Sequence, residues 1–266
     1  MTKILKFDIK NGCFLQWKKY IAVVLLVIFS CISFYIRYSK FISVSEFTFG
    51  DYLFWNFRGM KLLQDTGVFV VPNGFWLALN LFLAIIVGSY PSNELYGSGQ
   101  QYIIRLKKRI SWWNSKCIWC VVSVCLYYLA VISTIFIMSA ITGKTGALHT
   151  KVAEFFGGSG YETYSSFITD LMVVFVVSIA LSYVQMAIAL IFNPKLGYVF
   201  VAFILISGIY SAGEFSPGSG LMMIRLSNED VNGNMCILIS VFFIVVSYVM
   251  GSFGIKEKDI YKKHVE

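Results

Sequence analysis

Residues 90–116, YPSNELYGSGQQYIIRLKKRISWWNSK, separate two long runs that contain no charged residue. This stretch is basic and holds a single acid, Glu94. On a helix with about 100° between successive residues, its apolar side chains share one arc and most of its basic side chains fall outside that arc. The pattern predicts a basic amphipathic helix that lies on a membrane surface or docks into a partner. The apolar residues in the arc are Tyr102, Ile103, Leu106, Ile110 and Trp113.

Uncharged runs on both sides of this stretch decide the fold class. With 58% hydrophobic residues, 14% charged residues and a mean hydropathy of +0.72, the chain is too apolar for an ordinary soluble domain. A helix needs roughly 20 apolar residues to cross about 30 Å of hydrocarbon. The sequence therefore predicts an all-α integral membrane protein with one domain, residues 1–266, and six transmembrane helices. We expect the spans near residues 20–36, 75–90, 117–142, 171–193, 197–213 and 235–254.

The distribution of lysine and arginine predicts the orientation of these spans. An even number of spans places both termini on one side of the membrane. The segments on that side, including residues 90–116, carry most of the 22 basic residues. The positive-inside rule therefore predicts that both termini are in the cytoplasm, as in a multi-pass protein of the cytoplasmic membrane. The net charge of +8 then belongs to the inner membrane face and does not indicate nucleic-acid binding.

Two segments outside the spans predict helices at the membrane surface. Residues 1–19 mix apolar side chains with lysines, which favours a short interfacial helix before the first span, with a frayed basic tail as the alternative. Residues 49–63, FGDYLFWNFRGMKLL, are dense in aromatic residues and predict a second interfacial helix, on the outer surface. A ligand-contacting role for this second segment is the alternative.

Motifs for catalysis, metal binding or cofactor binding are incomplete. Residues 143–145, Gly-Lys-Thr, copy the end of a phosphate-binding loop, but the glycine required five residues earlier is Met138. The spacing of Cys117 and Cys120 fits a zinc ligand pair, but no second pair completes the site. Both histidines lie outside the apolar runs, so an intramembrane hydrolase would lack its base. The sequence thus predicts no catalytic residue, no metal and no cofactor, and no ATP-binding site of its own.

The uncharged runs also constrain how such a chain could transport. Ion-coupled carriers usually keep ionisable side chains inside their spans, whereas these runs have none. If the chain transports, we expect the energy to come from a separate cytoplasmic ATPase. Such an ATPase needs a cytoplasmic helix to push, and residues 90–116 meet that need. The alternative is a surface-lying helix without a partner.

Several residues along the chain resemble those of the six-span permease subunits of type-2 ABC exporters, particularly Gram-positive peptide and multidrug exporters. The resemblance covers nearly the whole chain, and its motifs lie around the second and third spans, at the turn between the fourth and fifth, and before the sixth. It rests on Pro72, Trp76, Tyr90, Leu95, Gly99-Gln100, Arg105, Arg109, Trp112-Trp113, Lys116, Asn193-Pro194 and Met222-Met223-x-Arg225.

The resemblance implies an N-terminal interfacial helix, a cytoplasmic coupling helix between the second and third spans, and a re-entrant segment before the sixth. It also implies two partners, a cytoplasmic ABC ATPase subunit and a second permease, identical or similar to this chain. The cargo would be a hydrophobic or peptide substrate, with antimicrobial peptide export or immunity preferred over a small drug or lipid. The residues expected to contact the ATPase are Arg105, Lys108, Arg109, Trp112, Trp113 and Lys116.

A second function from a different class also fits the sequence. A non-transporting membrane scaffold or sensor module would use the same basic helix to bind another membrane protein. Charge reversal at Arg105 and Arg109 separates the two, because in a scaffold it would disturb assembly of the complex but leave export unchanged.

Overall fold

The computed structural model describes residues 2–14, 16–41, 47–62, 73–88, 90–96, 109–142, 161, 163–211 and 216–257. Within these residues the protein is built from helices and contains no β-strand. A π-helical turn, Lys10–Phe14, follows the first helix, and a 3₁₀ turn, Ser219–Leu221, precedes the ninth. The α-helices are α1 (Thr2–Ile9), α2 (Trp17–Tyr38), α3 (Phe49–Phe57), α4 (Gly74–Gly88), α5 (Tyr90–Tyr96), α6 (Ile110–Thr142), α7 (Tyr164–Ile191), α8 (Pro194–Tyr210), α9 (Met223–Ser227) and α10 (Gly233–Glu257).

Long apolar helices confirm the multi-pass membrane character of the chain. In the described part of the chain, five helical stretches are long and apolar enough to cross a membrane. They are Trp17–Tyr38, Gly74–Leu95, Ile110–Thr142, Tyr164–Ile191 and Gly233–Glu257. The fifth predicted span corresponds to α8, which has 17 residues. At about 1.5 Å per residue it reaches roughly 26 Å, so its crossing of the membrane stays a prediction.

Two of these helices, α6 and α7, begin well before the predicted spans. We expected α6 to begin at residue 117 and α7 at residue 171, because Lys116 and Asp170 end the uncharged runs. The structure continues both helices through these charged residues. Asp170 accepts a hydrogen bond of 2.7 Å from the hydroxyl of Tyr161, and Lys116 is ion-paired. A charged side chain that has a hydrogen-bond or ion-pair partner inside the protein need not end a helix.

Helix α7 lies at the centre of the bundle. It packs against α4, α6, α8 and α10, and most of its inner side chains are buried. The amide of Gln185 donates to the carbonyl of Ala84 in α4 (2.9 Å), and the hydroxyl of Tyr183 donates to the carbonyl of Cys117 in α6 (3.0 Å). These two polar side chains therefore face other helices rather than lipid.

A two-residue turn joins α7 to α8. Asn193 caps the start of α8, where its side-chain oxygen accepts a hydrogen bond of 2.8 Å from the backbone N–H of Leu196. Pro194 occupies the first helical position, which suits its fixed φ. Since only this turn separates α7 and α8 and the two helices pack closely, they form an antiparallel neighbouring pair.

The aromatic segment around residues 48–57 is helical but not interfacial. A capping box between Thr48 and Asp51 starts α3. Residues 50–57 are all buried, and α3 packs against α2 and α6. The rings of Phe34 and Tyr52, for example, lie 4.8 Å apart in an edge-to-face arrangement. The prediction of a surface helix was therefore wrong, because aromatic density indicates a packed core as readily as a boundary layer.

Candidate functional site

The predicted partner-binding residues fall into two groups. Arg105 and Lys108 lie outside the described residues, as does most of the predicted coupling helix, so that helix stays a prediction. The other four lie at the start of α6: Arg109, Trp112, Trp113 and Lys116. Residues 110 and 113 therefore belong to the long helix α6 rather than to a separate amphipathic helix.

Lys116 is the centre of a buried group of polar side chains. Its ammonium donates to the carboxylates of both Asp8 and Glu94. Asp8 also accepts hydrogen bonds from the hydroxyls of Ser115 (2.6 Å) and Tyr90 (3.1 Å). We call these five residues the lysine cluster. No other salt bridge is found within the described parts of the chain.

Burial makes the charges of the lysine cluster interdependent. The side chains of Asp8 and Lys116 are completely buried, and Glu94 is 6% exposed. Removing such charges from water costs several kcal/mol for each ion unless partners compensate it. Two carboxylates share one ammonium here, and the Lys116 nitrogen also lies 4.7 Å from the ring centre of Tyr90 and 5.1 Å from that of Trp112. Each acid in the cluster thus depends on Lys116 for its only positive partner among the described residues.

The lysine cluster joins three segments that are distant in sequence. Asp8 belongs to α1, Tyr90 and Glu94 to α5, and Ser115 and Lys116 to α6. Helices α5 and α6 flank residues 97–108 on either side. A displacement of either flank of that segment must therefore disturb the N-terminal helix through the same ammonium.

The start of α6 also holds the last helix. The indole N–H of Trp113 donates to the carbonyl of Tyr248 (3.1 Å), and the guanidinium of Arg109 donates to the carbonyl of Lys256 at the end of α10 (3.3 Å). Gly251 of α10 gives the Trp113 ring its space, because a Cβ at that position would lie 2.0 Å from the ring. The first turns of α6 therefore bind α10 on one side and the lysine cluster on the other.

These contacts change the interpretation of three predicted residues. We predicted a partner contact for Trp112, Trp113 and Lys116, but in this structure their side chains are completely buried within the chain. Direct contact between these three residues and an ATPase stays a prediction. In the structure they connect the flank of residues 97–108 to the rest of the bundle.

Sequence reasoning missed Asp8 altogether and assigned no role to Glu94, although the sequence carries a signal for both. Asp8 is the only acid in the basic segment 1–19, and Glu94 is the only acid in residues 90–116. A single acid within a basic segment often marks a specific internal partner. The pairing with Lys116 could not be found in this way, because it joins residues 108 positions apart.

A second buried cation lies at the other end of α4. The lysine cluster lies near the end of α4, because its residue Tyr90 follows that end. Near the start of α4, the indole N–H of Trp76 donates to the carbonyl of Leu221 (2.9 Å). Beside Leu221, the side chain of Arg225 is completely buried. Burial lowers its pKa, although nearby Asp230 acts in the opposite direction.

The guanidinium of Arg225 binds neutral acceptors. It donates to the carbonyls of Gly208 (2.7 Å), Ile209 (2.6 Å), Ser211 (3.1 Å) and Met60 (3.0 Å), and to the hydroxyl of Ser219 (3.1 Å). Three of these carbonyls belong to the end of α8, where a positive charge is favourable. We call Arg225 and these acceptors the arginine knot. It holds residues 219–227 against the bundle, and re-entry of this segment into the membrane stays a prediction.

Comparison with known proteins adds no assignment. No protein-family model matches the sequence, and no curated protein has significant similarity to it.

Proposed function

We propose that this chain is the membrane-spanning subunit of an ATP-driven exporter in the cytoplasmic membrane, energised by a separate ABC ATPase. The observation that carries the proposal is the lysine cluster, in which both flanks of residues 97–108 and the N-terminal helix meet at Lys116. A force applied to that segment would reach α1, α4 and α6 together. An ATPase that pushes on residues 97–108 would therefore have a rigid connection to the membrane helices.

The orientation in this proposal rests on charge. Both termini and residues 90–116 are cytoplasmic under the positive-inside rule, so the lysine cluster lies at the inner end and the arginine knot at the outer end. A total of six spans then includes α8. This helix is short for a span, and it suffices if its outer end, in the arginine knot, lies below the outer membrane surface. In this orientation the end of α8 would be covered by Arg225 rather than by water.

The remaining parts of the proposal come from the resemblance to type-2 exporters. A second permease subunit, identical or similar, would complete the pathway, and Arg105 and Arg109 would face the ATPase. The cargo would be hydrophobic or a peptide, with antimicrobial peptide export or immunity as the preferred process.

Co-purification of this chain with the products of its neighbouring genes, among which the proposal expects an ABC ATPase, tests the proposal. We expect the two proteins to purify together and ATP hydrolysis to depend on the permease. Arg105→Glu with Arg109→Glu should abolish both. The matched control is Lys144→Glu with Lys151→Glu, the same charge reversal in the predicted outer loop, which should change neither.

Two results would oppose the proposal. If no ATPase associates, or if its turnover is the same without this chain, the exporter assignment fails. If the charge reversal disrupts a complex but leaves cellular export unchanged, the chain is a scaffold or sensor module instead.

A further inference from the structure

A cavity of about 630 Å³ lies between α2, the start of α4 and the loop after α3. Its volume is in the usual range for small-molecule sites, about 300–1,000 Å³. It belongs to the arginine-knot end of the molecule and is far from the lysine cluster. The described lining residues include Leu26, Phe29, Arg37, Trp55, Arg58, Lys61, Phe75 and Ala78.

Three basic side chains line one part of this cavity, and no described lining residue is acidic. The guanidinium carbons of Arg58 and Arg37 lie 4.5 Å and 5.8 Å from the ring centre of the same tryptophan, Trp55. Burial lowers the pKa of Arg58 to about 10, and the charge of Arg37 contributes to that shift. Since this value is well above neutral pH, the Arg58 guanidinium stays protonated. Together with Lys61 the two guanidiniums form a positive rim that favours an anion.

The opposite part of the cavity is apolar and faces the lipid side of the bundle. Phe29 lines it and is 64% exposed, on the outward face of α2 that also carries Leu25 and Ile32. Phe75 packs against Phe29 with ring centres 5.9 Å apart. The cavity therefore offers a positive rim and an apolar wall to the same occupant.

The backbone that carries Arg58 and Lys61 is fixed by the arginine knot. The backbone N–H of Ile224 donates to the carbonyl of Arg58 (3.1 Å), and the guanidinium of Arg225 donates to the carbonyl of Met60 (3.0 Å). Between them, Gly59 has a φ of +66°, a conformation that glycine adopts without strain. The fold thus fixes the backbone from which Arg58 and Lys61 extend.

We propose that this cavity binds an anionic membrane lipid, with its phosphate held by Arg37, Arg58 and Lys61 and an acyl chain along Phe29 and Phe75. Arginine forks match phosphate geometry, and the apolar wall selects a ligand that carries a hydrocarbon chain. This binding is independent of any ATPase and of the transport activity proposed above.

Native mass spectrometry of the chain purified in a neutral detergent tests this site. Phosphatidylglycerol should bind and raise the unfolding temperature, whereas phosphatidylcholine at the same concentration should do neither. Arg37→Gln with Lys61→Gln should weaken phosphatidylglycerol binding about tenfold or more, because charged hydrogen bonds to the phosphate are lost. Both side chains are exposed, so these changes should leave the unfolding temperature without lipid unaltered.

The matched control is Lys10→Gln with Lys18→Gln, which removes two exposed charges from the other end of the molecule. It should bind phosphatidylglycerol as the unmodified chain does. Equal binding of phosphatidylcholine, or undiminished phosphatidylglycerol binding by the rim variant, would overturn the proposal. Equal stabilisation by inorganic phosphate would also overturn it, because the site would then recognise a free anion.

Discussion

The lysine cluster and the arginine knot are both built around one buried cation, but they neutralise it in different ways. Lys116 binds two carboxylates, whereas Arg225 binds four backbone carbonyls and a hydroxyl. The first arrangement joins α1, α5 and α6 through formal charges. The second closes the end of α8 and the turn before α9 through backbone dipoles. The two ends of the bundle should therefore respond differently when the cation is changed.

The difference concerns what remains after the cation is removed. Without Lys116, two carboxylates are buried with no positive partner, which is the most unfavourable outcome for a buried ion pair. Without the full donor set of Arg225, the groups left behind are neutral, and each buried unsatisfied acceptor costs about 1–3 kcal/mol. We expect the lysine end to depend on charge balance and the arginine end on the number of donors.

Lys116→Met should have the largest effect, a loss of about 3–5 kcal/mol in the free energy of unfolding, because Asp8 and Glu94 remain buried and charged. Unfolding in mixed detergent micelles measures this change. The control is Lys195→Met, which removes an exposed lysine from the first turn of α8 and should have little effect.

Charge balance can be tested separately by neutralising the whole cluster. A triple variant, Lys116→Met with Asp8→Asn and Glu94→Gln, should recover most of the stability lost in the single variant, since no unpaired charge remains. If the triple variant is less stable than the single variant, charge balance does not explain the lysine end.

Arg225→Lys should destabilise the protein by about 2–3 kcal/mol even though the charge is kept. Lysine has three donors where the guanidinium makes five hydrogen bonds, so at least two acceptors lose their partner. The same unfolding assay checks this. The reciprocal change Lys116→Arg keeps the charge and should cost less stability than Lys116→Met. Full stability of Arg225→Lys would show that charge alone holds the arginine knot.

Gly59→Ala should lower stability by about 1–2 kcal/mol, because an L-residue at a φ of +66° is strained. The added Cβ would also lie 2.3 Å from the side chain of Met222. Thermal unfolding with and without phosphatidylglycerol measures both stability and the lipid site. Gly74→Ala is the matched control, since nothing lies within 4 Å of a Cβ there. An equal effect of the two substitutions would contradict a strained loop.

Asn193→Ala should have the smallest effect, about 1 kcal/mol, because it removes the N-cap of α8 at the surface of the lysine end. Asn193→Ser should retain most of the stability, since serine also caps helices. Thermal unfolding compares the two. A loss as large as that of Lys116→Met would show that the stability of this end does not reside in the buried cluster.

Much of the helical architecture could be predicted from the sequence. The uncharged runs predicted six spans, and five of the corresponding helices are long and apolar enough to cross a membrane, because a span needs apolar length and little else. Helix ends were less predictable where a charged side chain has a partner inside the protein, as Lys116 and Asp170 do. The burial of α3 was missed because the sequence does not show what its aromatic rings pack against.

The candidate site was only partly predictable for a related reason. Periodicity drew attention to the start of α6, and that is where Trp113 and Lys116 lie. Their partners Asp8, Glu94 and Tyr248 come from segments that are distant in sequence, and a single sequence carries no information on such pairings. Contacts of this kind appear only once the helices are packed.

Amide hydrogen exchange of Lys116→Met tests the central claim most directly, namely that one buried ammonium holds the N-terminal helix to both flanks of residues 97–108. Exchange should accelerate together in residues 2–14 and 90–96, while residues 219–227 in the arginine knot keep the protection of the unmodified chain. Unchanged exchange in residues 2–14, or equal acceleration at both ends of the bundle, would contradict the claim.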